Sequence, residues 1–263
     1  MAHRILLTGA TDGIGRETAR KLVALGHEVL LHGRNSEKLA SVARELGNDF
    51  PGVRIETYQA DLARLTEVDS LSQSIAENHD HLDVIINNAG VFATVNPLTS
   101  VGFDLRFVVN TIAPYRLTRK LLPLLGNEGR VINLSSAAQA PVNLEAWKER
   151  GLFPDGEAYA QSKLALTMWS RGLALAHPHG PTFVAVNPGS LLGSKMVQEA
   201  YGMAGKDLTI GADILVRAAI EDNFRNASGL YFDNDSGQLA APHPDALDDV
   251  KVSAMMEFLE QFV

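Results

Sequence analysis

The chain has 263 residues, 46% hydrophobic and 21% charged, enough for a substantial core and typical of an ordinary globular protein rather than a disordered or fibrous one. With 23 Lys and Arg against 31 Asp and Glu the net charge is −8, so there is no positive excess to attract a nucleic-acid backbone. The absence of cysteine excludes disulfides, thiolate metal sites and a cysteine nucleophile together. The charge is uneven: residues 1–60 carry +1, 61–220 carry −2 and 221–263 carry −7.

Short aliphatic runs alternate with longer helical patterns, the signature of parallel strands joined by crossover helices. A strand over 4–8 leads to a helix over 14–25, a strand over 28–32 to a helix over 36–46, and a strand over 53–59 to a helix over 65–78. A strand over 82–87 follows with a helix over 101–125, then a strand over 130–134 with a helix over 157–176, a strand over 182–186 with a helix over 210–222, and a last strand over 229–232. Several strands are apolar on both faces, as strands between two helical layers should be. Pro114 inside the fourth helix removes one hydrogen bond and demands a kink or local adjustment. No linker or repeat divides the chain, so the pattern predicts a single α/β domain over 1–263, a doubly wound parallel sheet of about seven strands with helices on both faces.

Two stretches, 137–156 and 189–207, interrupt the alternation just after strand ends, where open α/β sheets bind ligands, and are read as substrate loops. No apolar run approaches the roughly 20 residues of a membrane span, and the first strand begins too early for a signal peptide, which predicts a cytoplasmic protein with no membrane partner.

After the first strand comes Thr8-Gly9-Ala10-Thr11-Asp12-Gly13-Ile14-Gly15, followed at once by an amphipathic helix that Asp12 is placed to cap. Glycines in such a loop permit a tight turn and let backbone amides approach a pyrophosphate, which the helix N-terminus also favours. No Gly-Lys-Ser or Gly-Lys-Thr follows, so the loop suits a dinucleotide rather than nucleotide hydrolysis. The second strand ends at His32-Gly33-Arg34-Asn35, where an NAD-preferring site offers a carboxylate to the ribose. Arg34 instead suits a 2′-phosphate, which predicts NADP, with NAD as the alternative. Asp61 and Leu62, beyond the third strand, are placed to meet the adenine.

Four signatures together resemble the short-chain dehydrogenase/reductases: the Thr8 to Gly15 loop, Asn87-Asn88-Ala89-Gly90 closing the fourth strand, Tyr159-x-x-x-Lys163, and Asn187-Pro188-Gly189. The resemblance implies an NAD(P)-binding Rossmann fold and a catalytic tetrad of Asn110, Ser136, Tyr159 and Lys163. Tyr159 and Lys163 are four apart on one helix face, where an ammonium stabilises a phenolate and lowers a reference pKa of about 10. Ser136 is expected to polarise the substrate oxygen. Ser135 is its rival, because neighbours at a strand end point opposite ways. Asn110 corresponds to the family's asparagine that holds a proton-relay water. The cofactor set implied is Gly9, Thr11, Asp12, Gly13, Ile14, Gly15, Arg34, Asn35, Asp61, Leu62, Asn88, Ala89, Gly90, Tyr159, Lys163, Pro188, Gly189 and Ser190, with Val186 to Gly189 bounding the nicotinamide. Ser136 and Tyr159 are separated by 22 residues, a long interval that resembles the retinol-dehydrogenase-like and protochlorophyllide-reductase-like branches. The added segment, with Leu144, Trp147 and Phe153, is either a surface excursion or a substrate-facing loop.

These readings predict an NADP-dependent oxidoreductase that transfers a hydride between nicotinamide and a carbonyl or secondary alcohol of a small or medium, fairly apolar substrate. The rival is a catalytically silent NADP-binding redox sensor, which has no need of all four tetrad residues. Nucleotide-sugar epimerases differ in glycine spacing and length. Ser194 would replace a threonine the family places after the glycine, while Met196, Val197, Tyr201 and Met203 would form an apolar lid with Gly193, Gly202 and Gly205 as flexible points. Apolar residues left over on the fourth and fifth crossover helices predict a homodimer or homotetramer. His79, His81, His177 and His179 lie in predicted turns without ligand spacing, and Asp233 to Gly237 resembles a calcium loop with His243 where a glutamate belongs, so no metal is expected. The C-terminal acids Asp233, Asp235, Asp245, Asp248 and Asp249 are expected to be solvated.

Overall fold

A computed structural model describes residues 2–263 except 101, 152, 194–196, 199–201 and 203. The strands β1 (Arg4–Leu7), β2 (Glu28–Gly33), β3 (Ile55–Gln59), β4 (Leu82–Asn87), β5 (Leu125–Leu134), β6 (Thr182–Asn187), β7 (Tyr231–Asp233) and β8 (Gln238–Ala240) form one sheet in the order β3-β2-β1-β4-β5-β6-β7-β8. The first seven are parallel, and β8 returns antiparallel to β7 as an eighth, short strand that the sequence pattern does not reveal. Its residues are exposed and too few to show alternation.

Helices cover both faces. On one lie α1 (Gly13–Ala24), α2 (Ser36–Asp49) and α8 (Thr209–Ile220), packing Leu22, Val42 and Leu215 against Leu7, Leu31 and Val184. On the other lie α3 (Leu65–Asn78), α5 (Ala113–Leu121), α7 (Asp155–Ala176) and α9 (Asp249–Glu260), around Leu71, Leu117, Trp169 and Phe258. The strand order reverses between β1 and β4, which leaves a crevice at their C-terminal ends.

The fourth crossover begins at α4 (Leu105–Phe107) and passes through a π-helical turn, Val108–Ile112, into α5. Ala113 donates its N–H to Val108 O, five residues back, and Pro114 sits in the first turn of α5. The wide turn is the local adjustment that Pro114 demands, made where a missing N–H costs least. The segment over 137–156 contains α6 (Leu144–Lys148), and its Trp147 is fully buried, stacked on Phe107 at 3.7 Å with its indole N–H given to Gln161 Oε1 at 2.9 Å. It is therefore anchored in the core rather than carried as a surface excursion.

α9 was not legible as a helix in the acidic C-terminal stretch. Asp248 caps it, accepting from the N–H groups of Val250 and Lys251, and Val252, Met255, Phe258 and Leu259 are buried against α7 and its neighbours. Tyr115 donates to Glu260 at 2.5 Å, Arg119 pairs with Glu260, and Arg171 pairs with Asp249 at 3.1 Å. α9 thus covers apolar surface of α7 within the same chain, while Leu175 of α7 stays exposed. Among the described residues no helix is long and apolar enough to cross a membrane.

Candidate active site

A cleft of about 650 Å³ opens at the switch point. It is lined by every residue of the expected set except Asn110, which lies directly behind it, and Asn35. Asn35 Oδ1 instead caps α2 by accepting from Lys38 N–H at 2.9 Å.

The dinucleotide end is made by backbone. Gly9 adopts φ +67°, and a Cβ on Gly15 would lie 2.1 Å from Gly9 O, so this close approach of loop and helix needs both glycines. Asn88 fastens the loop from β4: its Nδ2 donates to Thr8 O at 2.8 Å and Gly9 O at 3.1 Å, while Thr8 Oγ1 accepts from the N–H groups of Asn88 and Ala89. Its side chain therefore shapes the loop. His32 braces the same turn from β2. Gly9 N–H points to its Nδ1 at 3.4 Å and its Nε2–H donates to Ala60 O at 3.0 Å, while burial pushes its pKa down to about 4 and keeps it neutral. At the far end Arg34 is exposed, and among the described residues no carboxylate pairs with its guanidinium. Asp61 Oδ1 accepts from Ala63 N–H at 3.0 Å, and Leu62 lies beside it.

The other end is made by side chains. Tyr159 is half-buried, its ring 5.0 Å from that of Phe92, with Lys163 Nζ 5.6 Å from its centroid. Lys163 is 3% exposed and donates to Leu134 O at 2.6 Å; burial lowers its pKa to about 8, which leaves it mostly protonated near neutrality. Ser136 lines the cleft, and its Oγ accepts from Ala138 N–H at 3.1 Å, so its own proton is available to a ligand oxygen. Ser135 is buried, with Oγ 2.7 Å from Thr167 Oγ1 and bonded to Lys163 O, so its hydroxyl is turned into α7.

Asn110 sits in the π-turn, fully buried. Its Oδ1 accepts from Val91 N–H at 2.8 Å and its Nδ2 donates to Val91 O at 2.9 Å and Ser162 Oγ at 3.0 Å. It meets Lys163 over Gly90, where a Cβ would lie 3.4 Å from Asn110 Oδ1 and 3.5 Å from Lys163 Nζ. Val186 lies in the sheet core behind the cleft and does not bound it; that wall begins at Asn187.

Phe92, Leu105, Val109, Ala138, Leu191, Leu192 and Val197 line the remaining wall, and these residues are all apolar. Ser194, Met196, Tyr201 and Met203, assigned to a lid or a cofactor contact, lie outside the described residues. At the ends of this stretch Gly193 and Gly205 approach backbone to backbone: a Cβ on Gly205 would lie 2.6 Å from Gly193 N, and Gly193 N–H donates to Lys206 O at 2.6 Å.

Sequence reasoning missed the supports of this wall. Arg106 is fully buried, forked onto both oxygens of Asp104, ion-paired with Asp155 at the start of α7, and bonded to the Phe92 and Phe153 carbonyls. Tyr231 on β7 donates its hydroxyl to Ser136 O at 3.1 Å. No motif marks either residue, since each is defined by contacts distant in sequence.

The C-terminal acids Asp235, Asp248 and Asp249 are exposed to solvent, and each of the five also has a polar partner: Asp233 and Asp235 hold Asn187 and Ser190, Asp245 pairs with Lys251 at 2.7 Å, and Asp248 and Asp249 serve α9 as described. His79, by contrast, is buried, its Nε2 2.9 Å from Tyr58 OH and 3.2 Å from Glu56. Glu28, Glu56 and His79 form the one candidate metal cluster among the described residues. Arg54 bridges both carboxylates and Arg4 pairs with Glu28, so these acids already have cationic partners.

A family model described as short chain dehydrogenase matches residues 3–204. Retinol dehydrogenase 13 of Homo sapiens is 29% identical, over 93% of this chain and 80% of its own. Short-chain dehydrogenase TIC 32 A, chloroplastic, of Brassica napus is 27% identical, over 96% of this chain and 86% of its own. A solved short chain dehydrogenase from Escherichia coli CFT073, complexed with NADPH, is similar with TM-score 0.73 and 29% identity, covering 88% of this chain and 96% of that one. These matches agree with the family resemblance carried by the four signatures and with the retinol-dehydrogenase-like branch read from the long Ser136–Tyr159 interval.

Proposed function

Because the chain belongs to the short chain dehydrogenase family, we propose that it transfers a hydride between NADP(H) and a carbonyl or secondary alcohol of a small or medium, uncharged, largely apolar substrate. The observation that carries this reading is the meeting of Ser136, Tyr159 and Lys163 in one cleft with the glycine loop and an exposed Arg34. The residues fit the dinucleotide: loop amides and the α1 N-terminus suit its pyrophosphate, Arg34 suits a 2′-phosphate, and Lys163 suits ribose hydroxyls. When bound, the nicotinamide supplies or accepts the hydride.

Ser136 donates a hydrogen bond to the substrate oxygen where charge develops. Tyr159 passes the proton to that oxygen in reduction and takes it back in oxidation, with the Lys163 ammonium stabilising the phenolate. Asn110 links the 91–92 loop to the turn before Lys163 and fixes the lysine's surroundings. The apolar side chains of Phe92, Leu105 and Val109 favour apolar substrates, since a charge buried against them loses its hydration.

Incubation with NADPH or NADH and a panel of ketones, aldehydes and quinones tests this reading. The expected result is carbonyl-dependent oxidation of NADPH. Binding without oxidation would favour the redox sensor, and equal use of NADH would remove the role given to Arg34.

A further inference from the structure

The nicotinamide-side wall, Asn187 to Ser190, begins at the end of β6, and a short hairpin that carries no catalytic signature fastens it. Asn234, at the tip of that β7–β8 hairpin, donates from Nδ2 to Pro188 O at 2.9 Å. Asn187 Nδ2, buried, donates to Asp233 Oδ1 at 2.8 Å and to Asp235 Oδ2 at 3.0 Å. Ser190 gives Asp235 two more bonds, from its backbone N–H to Oδ1 at 2.9 Å and from its hydroxyl to Oδ2 at 2.5 Å. Asp235 thus accepts from both ends of the Asn187–Ser190 segment while lining no part of the cleft itself.

We propose that Asp235 is a positioning residue that holds the Pro188–Ser190 loop in the conformation that receives the nicotinamide half of the cofactor. This rests on the reading of the cleft as an NADP(H) site. Burial opposes ionisation of Asp235, but the Ser190 N–H and hydroxyl, the Asn187 amide and the Lys206 charge outweigh it and hold the carboxyl below its ordinary range, so the loop is held by a carboxylate near neutrality.

Purified wild type, Asp235→Ala and Asp235→Asn are titrated with NADPH and with adenosine 2′,5′-bisphosphate, which lacks the nicotinamide half. The expected result for Asp235→Ala is an NADPH Kd raised about tenfold, the scale of losing hydrogen bonds to a charged group, with the bisphosphate Kd unchanged. Asp235→Asn keeps one acceptor oxygen and should show a smaller rise in the same direction, and it carries the test if the alanine variant fails to fold. A purely structural role would weaken both ligands together, and that result, or an unchanged NADPH Kd, would overturn the proposal. Wild type that binds neither ligand would instead overturn the cofactor reading and the proposal with it.

Discussion

The two ends of the cleft are built in different ways. The dinucleotide end takes its shape from backbone: Gly9 and Gly15 at van der Waals limits, locked by Asn88 and braced by His32, all at the ends of β1, β2 and β4. The hydride end is an arrangement of side chains, Ser136, Tyr159, Lys163 and Asn110. Their supports are remote in sequence: Tyr231 holds the Ser136 carbonyl, Leu134 O holds Lys163, and Val91 and Ser162 hold Asn110. A backbone site is specified by where side chains are absent, whereas a side-chain site needs a second layer of residues to fix orientation.

That contrast can be broken or sharpened by mutation. The largest effect is expected for Arg106→Met, which leaves Asp104 buried without its guanidinium and should lower unfolding free energy by about 3–5 kcal/mol, measured by denaturant titration. A loss below 1 kcal/mol would remove Arg106 as a support of the hydride end. Next is pH. Burial holds the Lys163 pKa at about 8, so carbonyl reduction at subsaturating NADPH should fall as pH rises past that value, approaching tenfold per unit, because the ammonium that stabilises the phenolate is lost. Lys163→Arg, charged throughout, should lack this limb even if slower; a limb of the same position in both would assign it to another group.

At the dinucleotide end, Arg34→Ala should weaken NADPH about tenfold and leave NADH unchanged, by titration of both, since only the former carries the 2′-phosphate. Equal weakening of both would mean that Arg34 shapes the loop instead. The smallest effect is expected for Asp248→Ala, which removes the α9 cap and should cost about 1 kcal/mol of stability without changing NADPH affinity.

The same contrast explains what was legible beforehand. Strand and helix alternation, the glycine loop and the Tyr159–Lys163 spacing are local patterns, and they carry the doubly wound sheet and the placing of ligand-binding loops at strand ends. Ser136 against Ser135 rested on strand alternation and the family pattern, and the buried bond of Ser135 to Thr167 shows which way each side chain turns. Asn35 has two readings in sequence, because a residue that can reach a ribose can also cap a helix, and in the structure its side chain caps α2. The −7 of residues 221–263 shows charge but not its partners: Asp235, Asp248 and Asp249 are exposed, yet they also meet groups 45, 2 and 78 residues away. The burial of Trp147, inside the long insertion, and of Arg106, in the fourth crossover, is opaque in sequence because it is set by the helices each one meets.

The central claim is that Tyr159 moves the proton while the rest of the cleft holds the cofactor. It is tested most directly by measuring turnover of a reducible carbonyl and the NADPH Kd side by side for wild type and Tyr159→Phe. Removal of a positioned acid should lower turnover by about 10²-fold or more while the NADPH Kd stays within about threefold, because the phenylalanine keeps the ring that packs on Phe92. Unchanged turnover in Tyr159→Phe would contradict the account.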